Sequence, residues 1–179
     1  RFKSPNPGAN LRRRFEDDST DLIYSTVESI SGKQKHAHIF CGRTTRITDA
    51  YKAKDDSAAT FLECFQDRVR SQGSPTRLIA DNAALYRGWK IMKYLRDTFI
   101  SLWQAEAKYQ HQNYAENRYQ LIKRYTNKVM NRSGCPPNLW FLAMCYVIFC
   151  LNHTVDFSLC DGMKTPYTLA TGLVSDTSP

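Results

Sequence analysis

Short apolar runs separated by turn residues occupy the first third of the chain. Residues 22–24 predict one strand, 38–41 a second and 44–52 a third, with turn residues at 31–33 and 42–43 between them. Three short strands joined by tight turns form an antiparallel meander.

The spacing of apolar residues becomes helical after the third strand. Between Ser57, a typical helix N-cap, and Gly73, a typical stop signal, apolar residues recur on one helical face at 61, 62, 65 and 69. A short buried-type strand at 77–80 follows, then a second helix with apolar residues at 85, 89, 92 and 95, and a fifth strand at 99–103.

The rest of the chain is helical apart from one polar stretch. Residues 104–113 have no apolar periodicity and predict a mobile loop, and helices are predicted over about 114–132 and from Pro136 to about His153. The order βββαβαβαα predicts an α/β protein. Its five-stranded mixed sheet, with three antiparallel strands and then parallel strands, carries helices on both faces. This is the plan of the ribonuclease H-like fold.

Three regions are expected along the chain. Residues 1–19, with two prolines and an Arg12–Arg14 run, predict a basic linker; 20–155 form the core, and 156–179 a loosely held tail. The longest apolar run, 139–151, has thirteen residues. Because a span of the bilayer needs about 20, it predicts a buried helix of a soluble protein, in the core or at a dimer interface.

The charge balance is strongly positive. Twenty-five Lys and Arg residues outnumber seventeen Asp and Glu residues, for a formal net charge of +8 over 179 residues. A cationic surface concentrates polyanions, so nucleic acid is the first partner to consider. A basic protein without such a partner would have the same charge.

The six cysteines show neither zinc-site nor disulfide-scaffold spacing. Cys145 and Cys150 fall inside the apolar run, where a free cysteine acts as a small buried hydrophobe. We expect no disulfides and a reducing compartment. His36 and His38, with Cys41 nearby, are interpreted as strand residues, since no second ligand pair follows.

Two acids lie where one edge of the predicted sheet can bring them together. Asp81 directly follows the strand at 77–80, and Glu116 lies near the start of a helix 35 positions later (116 − 81). Adjacent carboxylates raise each other's pKa unless a cation neutralises them. A divalent metal bound there would support in-line phosphoryl displacement. Spacing alone does not separate this site from two unrelated surface acids.

The helix after Glu116 carries polar side chains aligned with that acid. Four, seven, eight and eleven positions on are Gln120, Lys123, Arg124 and Asn127. Cationic and amide side chains contact phosphates and base edges, so this side of the helix is predicted to bind DNA. An ordinary amphipathic surface helix has a similar pattern.

Several stretches carry a family resemblance. They are LIADNA at 78–83, WQAEAKYQHQNYAENRYQLIK at 103–123, FCGRTTRITDAYKAK at 40–54, Trp140 and LNHT at 151–154. Together they resemble the integrase core of copia-type retrotransposons, most closely the polyproteins of that group from diatoms and other algae. NYAENRYQ is the most specific part.

The resemblance implies a ribonuclease H-like fold and a D-D-E triad of acids that binds Mg²⁺ or Mn²⁺. It implies 3′-processing and strand transfer of element DNA into target DNA by a homo-oligomer that is released from a polyprotein and acts in the nucleus. It implies neither a membrane partner nor a small-molecule substrate. Asp81 matches the second acid and Glu116 the third, which makes both the implied catalytic and metal-binding residues.

The first acid departs from the family pattern. The family carries an Asp in a segment that reads roughly F-S-D-T-P, and residues 24–28 match it with Thr26 at the acid's position. Asp21 also matches an acid common in the group, but it lies five residues earlier, about 16 Å along an extended strand and on the opposite face. Glu28, on the same face as Thr26, is the candidate replacement ligand. Without a third carboxylate the metal site is weakened.

Three functions remain open from the sequence. The first is an integrase core, impaired at position 26 or completed by Glu28 or Asp21. The second is a catalytically inactive or co-opted module that binds nucleic acid or a protein partner. The third, a nuclease or cut-and-paste transposase of the same fold, would use the same acids, but the segment at 103–123 favours an integrase.

Overall fold

The computed structural model describes residues 4–81, 84–104, 114–159 and 162–174. The strands are β1 (Asp17–Tyr24), β2 (His36–Gly42), β3 (Thr48–Ala53), β4 (Arg77–Ala80) and β5 (Ser101–Gln104). The helices are α1 (Ala58–Gln72), α2 (Trp89–Asp97), α3 (Tyr114–Ser133), α4 (Trp140–His153) and α5 (Pro166–Thr171). The predicted order is confirmed, with α5 added. Beyond Gln104, the predicted loop at 104–113 lies outside the described residues.

β1 lies at the centre of the sheet, whose strand order is β3-β2-β1-β4-β5. It pairs antiparallel with β2, which pairs antiparallel with β3, whereas β4 is parallel to β1 and β5 is parallel to β4. The register places Ser19 opposite Ile79 across β1 and β4, and Asp21 opposite Ile39 across β1 and β2. The predicted mixed five-stranded sheet of the ribonuclease H-like type is confirmed.

Each face of the sheet has its own apolar core. The core under α1 and α2 contains Phe40 and Phe61, and the core under α3 and α4 contains Ile23 and Ile39. Alternate residues of a strand point to opposite faces. Asp21, two residues from Ile23 and opposite Ile39, therefore faces α3 and α4.

α1 begins and ends at the residues expected from the sequence. The Ser57 hydroxyl accepts a hydrogen bond from the Thr60 N–H at 3.2 Å, and Gly73 follows the last turn with a φ of 99°. A Cβ on Gly73 would lie 2.9 Å from the Arg12 carbonyl oxygen. The close passage of the N-terminal segment therefore requires glycine at this position.

The N-terminal segment packs more closely than the linker expected at 1–19. β1 begins at Asp17, and Arg14 is buried, with its backbone N–H donating to the Ser74 carbonyl at 2.8 Å. The Arg13 guanidinium donates to two carbonyl oxygens that precede β5. The boundary expected between residues 19 and 20 thus lies inside β1. Arg13 and Arg14 bond to backbone carbonyls and carboxylates, so they belong to the packed region.

The tail expected at 156–179 also contains packed structure. α5 packs against α4, where the Tyr167 ring stacks on His153 with centroids 4.7 Å apart. Asp156 accepts a hydrogen bond from Arg46 at 3.3 Å. The packed region therefore continues past the boundary expected at residue 155.

α4 is buried on one side only. Phe141, Met144 and Val147 pack in the core beneath α3, whereas Tyr146 and Phe149 are 58 % and 57 % exposed. The run expected to form a buried helix therefore also presents an apolar surface. Among the residues that the structure describes, no helix combines the length and apolarity needed to cross a membrane.

A buried group of charges connects β1, β3 and α1. Arg68 and Asp18 are both fully buried; the Arg68 Nε lies 3.1 Å from Asp18 Oδ2 and its Nη2 lies 3.2 Å from Oδ1. Arg14 also pairs with Asp18, and Arg68 with Asp49. Burial alone would raise the pKa of Asp18, but the charges of Arg68 and Arg14 outweigh it and lower that pKa.

Replacing Arg68 with Met tests this arrangement. We expect Arg68→Met to lower the free energy of unfolding by about 3–5 kcal/mol, because a buried carboxylate loses its bidentate partner. Adding Asp18→Asn should recover part of the loss, since the buried carboxylate that keeps only Arg14 as a partner is then gone. Urea unfolding of the single and double variants measures both effects. A loss no larger than that of Arg70→Met, at an exposed arginine of the same helix, would contradict this account.

Candidate active site and nucleic-acid groove

Two acids meet at the carboxyl ends of the parallel strands β1 and β4. The register places Ser19 opposite Ile79, and two residues further along each chain it brings Asp21 level with Asp81. Neighbouring strands lie about 4.8 Å apart, and residues at one register position of a parallel pair point to the same face. Continued past the end of β4, this register places Asp81 next to Asp21, and the charge of Asp81 does act on the pKa of Asp21.

Glu116 approaches the same place from α3. It lies in the first turn of that helix, and α3 packs on the sheet through the buried residues Ala115 and Ile122, which share a core with Ile23. The charge of Glu116 acts on the pKa of Asp21. The start of α3 thus adds a third carboxylate to the electrostatic environment of the two strand acids.

Asp21 carries a charge that its surroundings do not compensate. Burial, and then the charges of Asp81 and Glu116, raise the pKa of Asp21 from its usual 3.8 to about 6, against an opposing hydrogen bond from the Leu22 N–H at 2.9 Å. Within the described ranges, no lysine or arginine forms an ion pair with Asp21. At neutral pH this position favours the arrival of a cation or a proton.

Tyrosines on both sides of the sheet respond to the same negative charge. Burial, followed by the charges of Asp81 and Asp21, raises the pKa of Tyr86, which belongs to the core under α1 and α2. Burial and the charge of Asp21 raise the pKa of Tyr119, which belongs to α3 and packs against the core between that helix and the sheet. The acids therefore act on groups that approach this end of the sheet from both faces.

The structure separates Thr26 and Glu28, the residues considered at the position of the first acid, from Asp81. Thr26, aligned with that acid from the sequence, lies in a bend beyond the end of β1 with an exposed side chain. The side chain of Glu28, the expected replacement, is 56 % exposed, with its Oε1 4.0 Å from Lys35 Nζ. The acid that lies beside Asp81 is Asp21.

The different positions of Asp21 and Thr26 follow from the extent of the first strand. The apolar pattern predicted a strand at 22–24, whereas β1 spans Asp17–Tyr24, so Asp21 lies within the strand and Thr26 outside it. One signal for Asp21 was present in the sequence: it is an acid two positions before Ile23, on the buried face of a strand. A buried acid without a cationic partner often marks a functional position.

Polar residues of α3 line an open groove beside Glu116. All four residues predicted to bind DNA are exposed and line it, and Asn117 and the half-buried Leu121 complete the lining. The four are Gln120, Lys123, Arg124 and Asn127. Ile122 and Thr126, on another side of the helix, are buried. α3 therefore presents the expected polar side to solvent.

No protein-family model matches the sequence, and no curated protein matches it either. Solved structures do match. The dimeric form of the HTLV-2 integrase catalytic core domain in complex with magnesium aligns with a TM-score of 0.67 and 15 % identity over 88 % of this chain and 96 % of that chain. The trimeric form aligns with a TM-score of 0.66 and 15 % identity, over 87 % and 95 %. A simian T-cell lymphotropic virus intasome, in complex with PP2A regulatory subunit B56 gamma, aligns with a TM-score of 0.72 and 13 % identity, over 95 % of this chain and 62 % of that chain.

The chain has the integrase-core fold. Because the identities are only 13 % to 15 %, the likeness concerns the fold, and the roles of individual residues rest on the geometry of this chain.

The donor atoms at the acids of this integrase-core fold suit a hard divalent cation. Carboxylate oxygens are the ligands that Mg²⁺ and Mn²⁺ prefer, and a cation would relieve the repulsion that raises the pKa of Asp21. In the part of the chain described, no three His, Cys, Asp or Glu side chains are gathered to hold one ion. Mg²⁺ commonly takes one or two carboxylates with waters and substrate phosphates, so the donor set fits a site that substrate completes.

Asp21 makes the stability of the integrase-core fold depend on pH. Its pKa is about 6 in the folded protein against a usual 3.8. The resulting contribution to stability is fully present below the usual pKa and is lost as the pH rises through about 6. Asp21→Asn removes this loss. We therefore expect Asp21→Asn to raise the Tm of the metal-free protein by a few degrees at about pH 7.5 and by much less at about pH 4.5.

Thermal unfolding followed by circular dichroism at both pH values measures this difference. Asp97→Asn, which removes an exposed acid at the end of α2, is the matched control. If Asp21→Asn changed the Tm equally at both pH values, the raised pKa of Asp21 would be wrong.

Proposed function

We propose that this chain is the catalytic core of an integrase, which binds DNA and transfers phosphoryl groups with the help of a divalent metal. The observation that carries the proposal is that Asp21 lies close enough to Asp81 and Glu116 for their charges to raise its pKa, beside a groove lined with cations and amides. Asp21 supplies the first acid of the triad, which position 26 lacks. The alternative of an inactive or co-opted module was based on Thr26 at the position of the first acid, and an acid at Asp21 removes that basis.

The three acids have rigid supports that suit this chemistry. Asp21 belongs to the central strand, Asp81 follows its parallel neighbour, and Glu116 is carried by a twenty-residue helix. Bound Mg²⁺ or Mn²⁺ would activate an attacking oxygen and stabilise a leaving oxygen of an in-line displacement. The protein's own contribution is to hold hard oxygen ligands on rigid elements, with Asp21 and Glu116 half-buried and Asp81 exposed, and to align the DNA beside them.

The groove on α3 supports DNA as the substrate. Lys123 and Arg124 supply positive charge, and Gln120 and Asn127 supply amides. At about 1.5 Å per residue, Arg124 lies about 12 Å along the helix axis from Glu116. Three to four nucleotides of duplex rise by a similar length at about 3.4 Å each. DNA with its reacting phosphate at Glu116 would thus place its next phosphates beside these side chains.

The finer assignment rests on the sequence resemblance. We propose a copia-type retrotransposon polyprotein as the source, element ends and target DNA as the substrates, and the nucleus as the place of action. A homo-oligomer is also proposed, because the HTLV-2 core is described in dimeric and trimeric forms and the simian virus protein in an intasome. The exposed apolar side of α4, with Tyr146 and Phe149, supports such a contact. The catalytic core is assigned to residues 17–171.

Strand exchange on branched DNA with Mn²⁺ tests the proposal. Asp21→Asn, Asp81→Asn and Glu116→Gln should each lower the rate by about 10²–10³-fold, because each weakens metal stabilisation worth several kcal/mol. Thr26→Asp should leave the rate within about twofold, because a carboxylate at that exposed position lies away from the acids. Rates are measured on gels with end-labelled substrate.

Two results would overturn the assignment. Exchange that persists in Asp21→Asn, or that is seen only in Thr26→Asp, would show that Asp21 is not the first acid. Cleavage of RNA–DNA hybrids without strand exchange would indicate a nuclease of the same fold. Circular dichroism of every variant distinguishes loss of activity from loss of fold.

Divalent metal should also stabilise the folded chain through the same acids. At about pH 7.5 a metal concentration of 100 times its Kd stabilises a protein by about 2.7 kcal/mol, and we expect a matching rise in Tm with Mg²⁺ or Mn²⁺. The rise should shrink at about pH 5, because Asp21, with a pKa of about 6, is then largely protonated. Scanning calorimetry of the natural chain and Asp21→Asn measures this effect. Equal metal stabilisation of both proteins would contradict a role for Asp21 in binding.

A further inference from the structure

A second cationic pocket borders α3, apart from the three acids. It lies between α3, the end of β2 and the turn that leads to β3, and its volume is about 250 Å³. Its lining consists of Cys41, Gly42, Arg46, Tyr114, Asn117, Arg118 and Leu121. Since one water molecule takes roughly 30 Å³ of liquid, the pocket has room for a phosphate group and several waters.

Arg118 brings a nearly buried positive charge to this pocket. Its side chain is only 9 % exposed, its Nη1 lies 3.8 Å from Asp156 Oδ2, and its Nε donates to Thr48 Oγ1 at 3.4 Å. Because the side chain is so little exposed, its charge has lost much of its hydration, and this burial lowers the pKa of Arg118. A guanidinium has five N–H donors, so these contacts leave donors for an anion.

The neighbouring carboxylate does not balance the charge of the pocket. Asp156 Oδ2 is shared by Arg46, at 3.3 Å, and Arg118. Asp156 Oδ1 is already occupied, because it accepts hydrogen bonds from the backbone N–H and the hydroxyl of Ser158. One carboxylate for two guanidiniums leaves an excess of one positive charge. Paired guanidiniums match the geometry of a phosphate group, which accepts two parallel N–H bonds from each arginine.

The pocket is continuous with the groove on α3. Asn117 and Leu121, four residues apart and thus on one side of the helix, line both. We propose that the pocket binds a phosphate of a nucleic-acid backbone, one that lies across α3 from the phosphates held in the groove. This inference rests on the proposed function, since it takes DNA to be the molecule in the groove. Free inorganic phosphate has the same chemistry, and the continuity with the groove favours the backbone.

DNA-binding titrations over a range of salt concentrations test the proposal. Arg46→Gln and Arg118→Met should each weaken binding about tenfold, and should reduce the slope of log affinity against log salt by about 0.9, the contribution of one phosphate. Arg70→Gln, which removes the same charge from an exposed position on α1, should leave the slope unchanged. Arg46 is 40 % exposed, so Arg46→Gln remains informative even where Arg118→Met fails to fold.

A titration with inorganic phosphate examines the pocket without DNA. The Nε–Hε NMR signals of Arg46 and Arg118 should shift together as phosphate is added. The signals could shift while Arg46→Gln and Arg118→Met bind DNA with the same affinity and salt slope as Arg70→Gln. That result would indicate a site for free phosphate only and would overturn the backbone assignment. No shift and no change in slope would overturn the site altogether. Neither the salt slope nor the NMR shift depends on catalysis. A negative strand-exchange result would therefore leave the phosphate pocket untouched, and loss of the pocket would leave the catalytic proposal untouched.

Discussion

Hydrogen bonds between the parallel strands β1 and β4 place Ser19 opposite Ile79, and the candidate site depends on that register. A slip of β1 by one residue would turn Asp21 to the other face of the sheet. A slip by two residues would displace Asp21 by about 6–7 Å along the strand, out of line with Asp81. The buried pair of Asp18 and Arg68 opposes both movements, because a shifted β1 would leave a buried charge without its partner. The ion pair on one face of the sheet thus holds the acids on the other face in position.

Two acids of β1 illustrate how the environment decides what a carboxylate does. Asp18 and Asp21 are three positions apart and so face opposite sides of the sheet. Arginines surround Asp18 and lower its pKa, which makes it part of the framework. Burial and neighbouring acids raise the pKa of Asp21, which destabilises the metal-free protein at neutral pH. Such a local destabilisation is expected at a site that receives a cation. The ion pairs of Asp18 with Arg14 and Arg68 offset it.

The sequence predicted the fold, and it singled out Asp81 and Glu116, with Asp21 as one of two alternatives for a further acid. Apolar periodicity predicted all five strands and four of the five helices, and Ser57 and Gly73 marked the ends of α1, because these signals are local. The sequence did not decide between Glu28 and Asp21, because β1 extends through polar residues that show no apolar alternation. Asp17 to Asp21 belong to the strand through pairing with β2 and β4. That pairing, like the burial of Arg14, depends on residues that are distant in the sequence, so local patterns do not predict it.

α3 carries Glu116 and borders both the groove and the cationic pocket. One side of the helix is buried against the sheet, a second carries Glu116 and the groove, and a third carries Arg118 and the cationic pocket. A helix turns by about 100° per residue, so twenty residues suffice to present all three sides along one rigid axis. The spacing between the acid and the cations is then a property of helical geometry. A substrate that engages the groove and the pocket together would align its backbone with Glu116 without any rearrangement of α3, which is the pre-organisation that phosphoryl transfer requires.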